Sequence, residues 1–253
     1  METPTTTPAE PVKPMPLLDR LTNVFASPGE LFENVRQTEK TSSNWLIPLI
    51  TMIVVSLVLS QMVFSNASLV DQMGTMIKKS MEKSVQQGKM TQEQADQTYE
   101  TYAKPGTTMS TMFRVGGTVI GIPIAFLVIT LVYWLLGKWT MKATAPYMKV
   151  GEVVGLVFFI GILEAIVTTL MMFLMDSIFA SPSLAVFISG FDIDNKLHVA
   201  LSKVNVFTIW SLAVTSIGLS KLFQRDLSKV LVLVFALWIL WCVLSILTGV
   251  RLG

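Results

Sequence analysis

Apolar and polar positions along this chain sort into long blocks, not into short alternating patterns. Five apolar blocks lie near Trp45–Phe64, Val115–Leu136, Val153–Met175, Val206–Leu222 and Val230–Thr248. A helix rises about 1.5 Å per residue, so roughly 20 apolar residues cross a hydrocarbon layer about 30 Å thick. Surface helices of soluble proteins carry a charged face, and these blocks have none. One acid, Glu164, stands inside them, and basic residues are confined to the flanks. The pattern predicts an all-α, polytopic membrane protein, a bundle of five transmembrane helices.

Outside the blocks the periodicity is that of amphipathic helices. Leu17, Leu18, Leu21, Val24 and Phe25 form one stripe, and Leu31, Phe32 and Val35 a second. Between them Ser27-Pro28-Gly29-Glu30 reads as a helix start. Ser27 is the expected N-cap, Pro28 the first helical residue and Glu30 the far side of a capping box. Both helices are too short to span. They are expected on the membrane surface or against the bundle, with Leu21, Phe25, Leu31 and Phe32 as a candidate lipid- or partner-binding surface. Residues 65–111 form the one sizeable piece between spans. Leu69, Met73, Met76, Ile77, Met81 and Val85 recur at helical spacing, Gly88 breaks the run, and Thr91 to Gln94 has the form of a second capping box. A helical hairpin ending at Pro105-Gly106 is expected. Residues 1–16 hold five prolines and no apolar signal core, which predicts a disordered tail and a first span acting as uncleaved signal-anchor. The membrane domain is then 17–250.

Composition agrees: 14% of residues are charged and mean hydropathy is +0.60, against about 25% charge in soluble domains. A net charge of +2 gives no footing for nucleic acid. Cys242 is the only cysteine and His198 the only histidine, so an internal disulfide, a cysteine metal cluster and a two-histidine protease helix are excluded. Gly137-Lys138-Trp139-Thr140 lacks the upstream glycine and the hydroxyl of a phosphate loop. Asp192-Ile193-Asp194-Asn195 lacks the glycine and distal glutamate of a calcium loop. No catalytic residue, cofactor or metal ligand is predicted. Asn66-Ala67-Ser68 fits a glycosylation sequon, a common pattern.

Charges on short loops set the expected orientation. Loop 137–150 carries Lys138, Lys142 and Lys149, and loop 223–229 carries Arg225 and Lys229 against Asp226, whereas 176–203 holds three aspartates against two lysines. The basic loops are expected in the cytoplasm with the N-terminus, and the hairpin outside. Gly117 with Gly121, and Gly151 with Gly155, are small-xxx-small pairs suited to close helix approach, within the chain or in a homo-oligomer. Pro123 is expected to kink its span. Trp45, Tyr133, Trp134 and Trp139 are placed as interfacial aromatics.

Glu164 is the residue that chemistry must explain, because a charge inside a span is costly and faces the bundle interior. Gly161 and Thr168 share its side of the helix, and Thr208, Ser211 and Thr215 make a hydroxyl stripe on the fourth span. One reading is a protonated structural acid bonded across helices. The other is a proton or cation site.

The stretch from Leu21 to Phe32, the span start Trp45-Leu46-Ile47-Pro48-Leu49, and Asn205 to Trp210 leading into Ile217-Gly218-Leu219-Ser220 together resemble the Yip domain family, in its bacterial branch. The resemblance covers roughly 17–250. The five-span layout with a cytoplasmic N-terminus carries the resemblance too, and for eukaryotic members the resemblance implies a role in membrane traffic or organisation. The acidic motif of eukaryotic members is absent. The expected function is a non-enzymatic membrane scaffold or adaptor in a bacterial inner membrane, with membrane lipid and a cytoplasmic protein as partners. The alternative is a small secondary transporter or ion pathway using Glu164.

Overall fold

The computed structural model describes residues 12–248. Its α-helices, in order, are α1 (Leu17–Ala26), α2 (Pro28–Gln37), α3 (Ser43–Phe64), α4 (Ala67–Gln86), α5 (Gln92–Thr98), α6 (Thr108–Met141), α7 (Tyr147–Met175), α8 (Lys196–Lys203), α9 (Val206–Phe223) and α10 (Leu227–Thr248). α3, α6, α7, α9 and α10 are long and apolar enough to cross a membrane. Among the described residues the only β pairing is one bridge, Ser183 to Asn205.

Helix ends differ from the expectation in instructive ways. Pro28 does open α2, but the Ser27 side chain makes no cap. The backbone serves instead: Ser27 N–H donates to Asn23, and its carbonyl accepts from Glu30 and Leu31. α4 is capped by Asn66, whose side chain accepts from the Leu69 N–H, so the sequon asparagine holds a helix start. The capping box of Thr91 and Gln94 forms, and a π-helical turn, Tyr99–Ala103, completes the hairpin. α6 and α7 run beyond their apolar blocks, α6 from Thr108 and α7 from Tyr147, because helix continues through polar residues that a hydrophobic pattern counts as loop.

α7 is the central post. α3 runs beside it in the same direction, since Gly155 lies under Trp45, Gly161 near Met52 and Asp176 beside Ser68. α6 and α9 run the other way: Arg114 on α6 reaches Ser60 at one end, while Gly137 meets Phe223 at the other. Gly155 and Gly218 permit these approaches. A Cβ on Gly155 would overlap Trp45 Cα and sit 2.9 Å from the Asn44 carbonyl, and one on Gly218 would press on Val153 and Phe32. A Cβ on Gly151 would lie 3.3 Å from the Phe126 ring, so Gly151 and Gly155 are occupied within the chain. A Cβ on Gly117 or Gly121 would meet nothing within 4 Å. Trp45, at the start of α3, is half-buried and stacks on Phe126 with ring centroids 5.5 Å apart, whereas Trp139 is exposed.

The bundle has two chemically distinct ends. One gathers α1, α2 and the turns after α6 and α9, and is called here the basic end. The other carries the hairpin of α4 and α5 and the segment 176–205.

Candidate functional site

The deepest polar cluster sits at the basic end. Glu152 is 1% exposed and Lys149 is 6% exposed, one helical turn apart at the start of α7. Lys149 Nζ donates to the carbonyls of Val35 (2.7 Å) and Glu39 (3.1 Å) and to Glu152 (3.2 Å). Glu152 also accepts from the Thr41 N–H at 3.0 Å and the Asn44 amide at 2.7 Å. Asn44 in turn accepts from Arg20 at 2.7 Å, and Arg20 reaches Ser43 Oγ and the Met15 carbonyl. Burial holds the Arg20 guanidinium below its ordinary pKa, while the Glu152 charge works the other way. Every donor of the Lys149 ammonium is used, as burying a charge requires.

These bonds fasten α1 and α2 to the bundle. Lys149 takes the carbonyl left over at the end of α2, and Glu152 takes the linker before α3. The apolar faces follow: Val24, Leu31, Phe32 and Val35 are all 2% exposed or less and pack with Val150, Val153 and Leu219. Of the four residues expected to form a docking surface, Leu31 and Phe32 are buried in the core, and Leu21 and Phe25 pack against it. Phe25 meets the Trp210 ring edge-on at 5.6 Å. Residues 12–16, expected in a disordered tail, are also held, with Met15 N–H on Asn34 and the Lys13 carbonyl receiving the Asn34 amide. The rest of that tail lies outside the described residues.

Glu164 sits elsewhere. Its Oε1 accepts from the Asn205 amide at 2.7 Å. Asn205 also caps α9 through Phe207 and pairs with Ser183. The hydroxyl stripe lies further along α9: Thr215 is buried, Thr208 and Ser211 are partly buried, and Gly161 and Thr168 line α7 beside the acid. α9 thus begins level with Glu164, eleven residues before α7 ends (175 − 164), or about 16 Å at 1.5 Å per residue. Leu170, Leu174 and Met175 on that stub are exposed, at 53%, 86% and 50%.

At the hairpin end, Asp192 and Asp194, the residues resembling a calcium loop, face lysines. Lys79 lies 3.6 Å from Asp192 and 3.2 Å from Asp194, and Lys83 pairs with Asp194. Lys83 first, then Lys79, holds the Asp194 carboxyl below its ordinary range. His198 accepts from the Asp192 N–H. Among the described residues no group of three or more His, Cys, Asp or Glu could hold a metal ion.

The Lys149–Glu152 cluster is the buried polar feature that sequence reasoning missed. Its signal was present: a base and an acid at i and i+3, beside Gly151 and Gly155, cannot both face lipid.

A family model described as the Yip1 domain matches residues 22–249, nearly the whole described chain. No curated protein and no solved structure matches it.

Proposed function

Because the chain belongs to the Yip1 domain family of membrane proteins, we propose that it is a non-enzymatic scaffold or adaptor of a bacterial inner membrane. In this reading the N-terminus and the basic end lie in the cytoplasm, as the lysines and arginines of the short loops favour. The observation that carries the reading is the fixed seating of α1 and α2. A helical pair held by a buried ion pair presents its outer face, including Leu18, Asp19, Thr22, Glu30 and Gln37, in one invariant arrangement. Such a surface suits partner recognition, because little ordering entropy is lost on binding. Leu21, Phe25, Leu31 and Phe32, the candidate lipid or partner surface, take the other expected placement, against the bundle, and hold the platform in place.

The transport alternative draws on Glu164 alone. Proton and ion pathways combine several polar groups in a span, and the partner of this acid is a helix-capping amide. A photo-crosslinking residue placed at Thr22, Glu30 or Gln37 should trap a defined protein partner in native membranes, while the same residue at Val24 should not. Purified protein in liposomes should show no proton flux that Glu164→Gln abolishes. Absence of adducts at all three exposed positions, together with such a flux, would replace the scaffold by the transporter.

A further inference from the structure

The basic end holds two adjoining pockets that share Arg36 and Gln224, together called the trough, and Lys149 of the buried clasp lines one of them. Its cations come from separate elements. Arg36 and Lys40 stand on α2 and the segment leaving it, while Lys221 and Arg225 stand at the end of α9 and the turn into α10. Against these four are two acids, Glu33 and Glu39, and Lys149 is balanced by Glu152. Glu33 is shared, bonding Arg36 and lying 3.7 Å from Lys221. Arg225 is oriented by its Nε bond to the Met141 carbonyl at 2.9 Å, which leaves the far end of its fork for another acceptor. The start of α7, at Pro146, forms one wall. The positive end of that 29-residue helix adds to the field felt by an anion there.

The other edge of the trough is apolar. Ile217 and Leu227 line it beside Lys221 and Arg225, with Leu222 in the adjoining pocket, and Leu227, 41% exposed, is the first residue of a membrane-spanning helix. Cations above a hydrophobic sill, at the level where spans end, match the junction of a lipid headgroup with its chains.

We propose that this trough binds the headgroup of an anionic phospholipid, with Arg36, Lys221 and Arg225 about the phosphate, Lys40 adding to the field from the adjoining pocket, and the acyl chains leaving past Leu227. A soluble phosphate ester would use the same cations but gain nothing from Ile217 and Leu227. The inference deepens the scaffold reading by naming a lipid chemistry, and rests on it only for the leaflet concerned.

The test is lipid retention by the purified full-length chain in native mass spectrometry, comparing phosphatidylglycerol with phosphatidylcholine of identical chains. Wild type should retain more phosphatidylglycerol, and each cation removed should lower that preference about fivefold. Lys40→Gln with Lys221→Gln should therefore bring the two lipids close to equal. Lys89→Gln with Lys104→Gln, at the hairpin end, should leave the preference intact. Arg225→Gln provides a second reading should the double variant unfold, and Arg225→Lys should keep most of the retention. Inorganic phosphate at the same concentration should not displace the lipid. Equal retention of both lipids by wild type, unchanged preference in folded trough variants, or displacement by inorganic phosphate would each overturn the proposal. Partner crosslinking is scored separately, so its failure would leave this result standing.

Discussion

At the scale of single residues, the structure rests on a few groups whose neighbours leave no slack. Removing one member of a buried ion pair strands the other charge, which costs about 3–5 kcal/mol. Glu152→Gln should therefore destabilise the protein by an amount in that range, read by denaturant unfolding in detergent. Lys149→Met combined with Glu152→Gln should cost less than the two singles added together, because contacting residues couple. Equal and additive small losses would mean that the pair is solvated. The glycines make a second, steric contrast. Gly155→Ala would drive a methyl into the Trp45 backbone, whereas Gly117→Ala meets open space. Overpacking typically costs about 1–3 kcal/mol, so the first should lower the unfolding midpoint and the second should not. If the two variants unfold alike, the close seating of α3 on α7 is wrong.

At the scale of elements, the amphipathic stripes of α1 and α2, the hairpin and all five spans were legible in the sequence, because each is set by local periodicity. Their ends and partners were less so. The apolar block of the third span starts at Val153, and the three positions before it include the acid and follow the base that pin α2 to α7. A pattern that reads charge as span boundary hides a charge that is buried by another segment. Long-range pairing was equally hidden: nothing local in Asn205 announces Glu164, and nothing in Asp194 announces Lys83. That last contact makes the hairpin a test of electrostatics. Asp194 is held below the ordinary aspartate range by Lys83 and Lys79. Its stabilising contribution is therefore complete above the unfolded pKa of about 4 and is lost as pH falls through the depressed value. Exposed pairs are also screened by salt. Hydrogen exchange in α4 and around Asp192 should speed up in high salt and toward acid pH, while α7 keeps its protection. Exchange that ignores both variables would mean that the ion pairs do not hold the hairpin.

For the whole molecule, the account describes a five-span bundle of the Yip1 domain family whose N-terminal helices are built into one end. That end is basic, and the proposed orientation turns it to the cytoplasm, away from the hairpin. The arrangement was foreseeable in outline from the five blocks and their flanking charges, and packing of α1 and α2 against the bundle was one of two expected placements, but the buried pair that fixes them, more than a hundred positions away, was not. Embedding and orientation meet in a single measurement: labelling by a membrane-impermeant thiol reagent in sealed, right-side-out vesicles, using single cysteines in a Cys242→Ser background. Lys89→Cys should label from outside. Leu18→Cys and Lys142→Cys should label only after the vesicles are opened, and Val24→Cys should stay slow even then, because it lies under the clasp at 0% exposure. Labelling of Lys89→Cys and Lys142→Cys from the same side, or of Val24→Cys as fast as Leu18→Cys, would contradict the account.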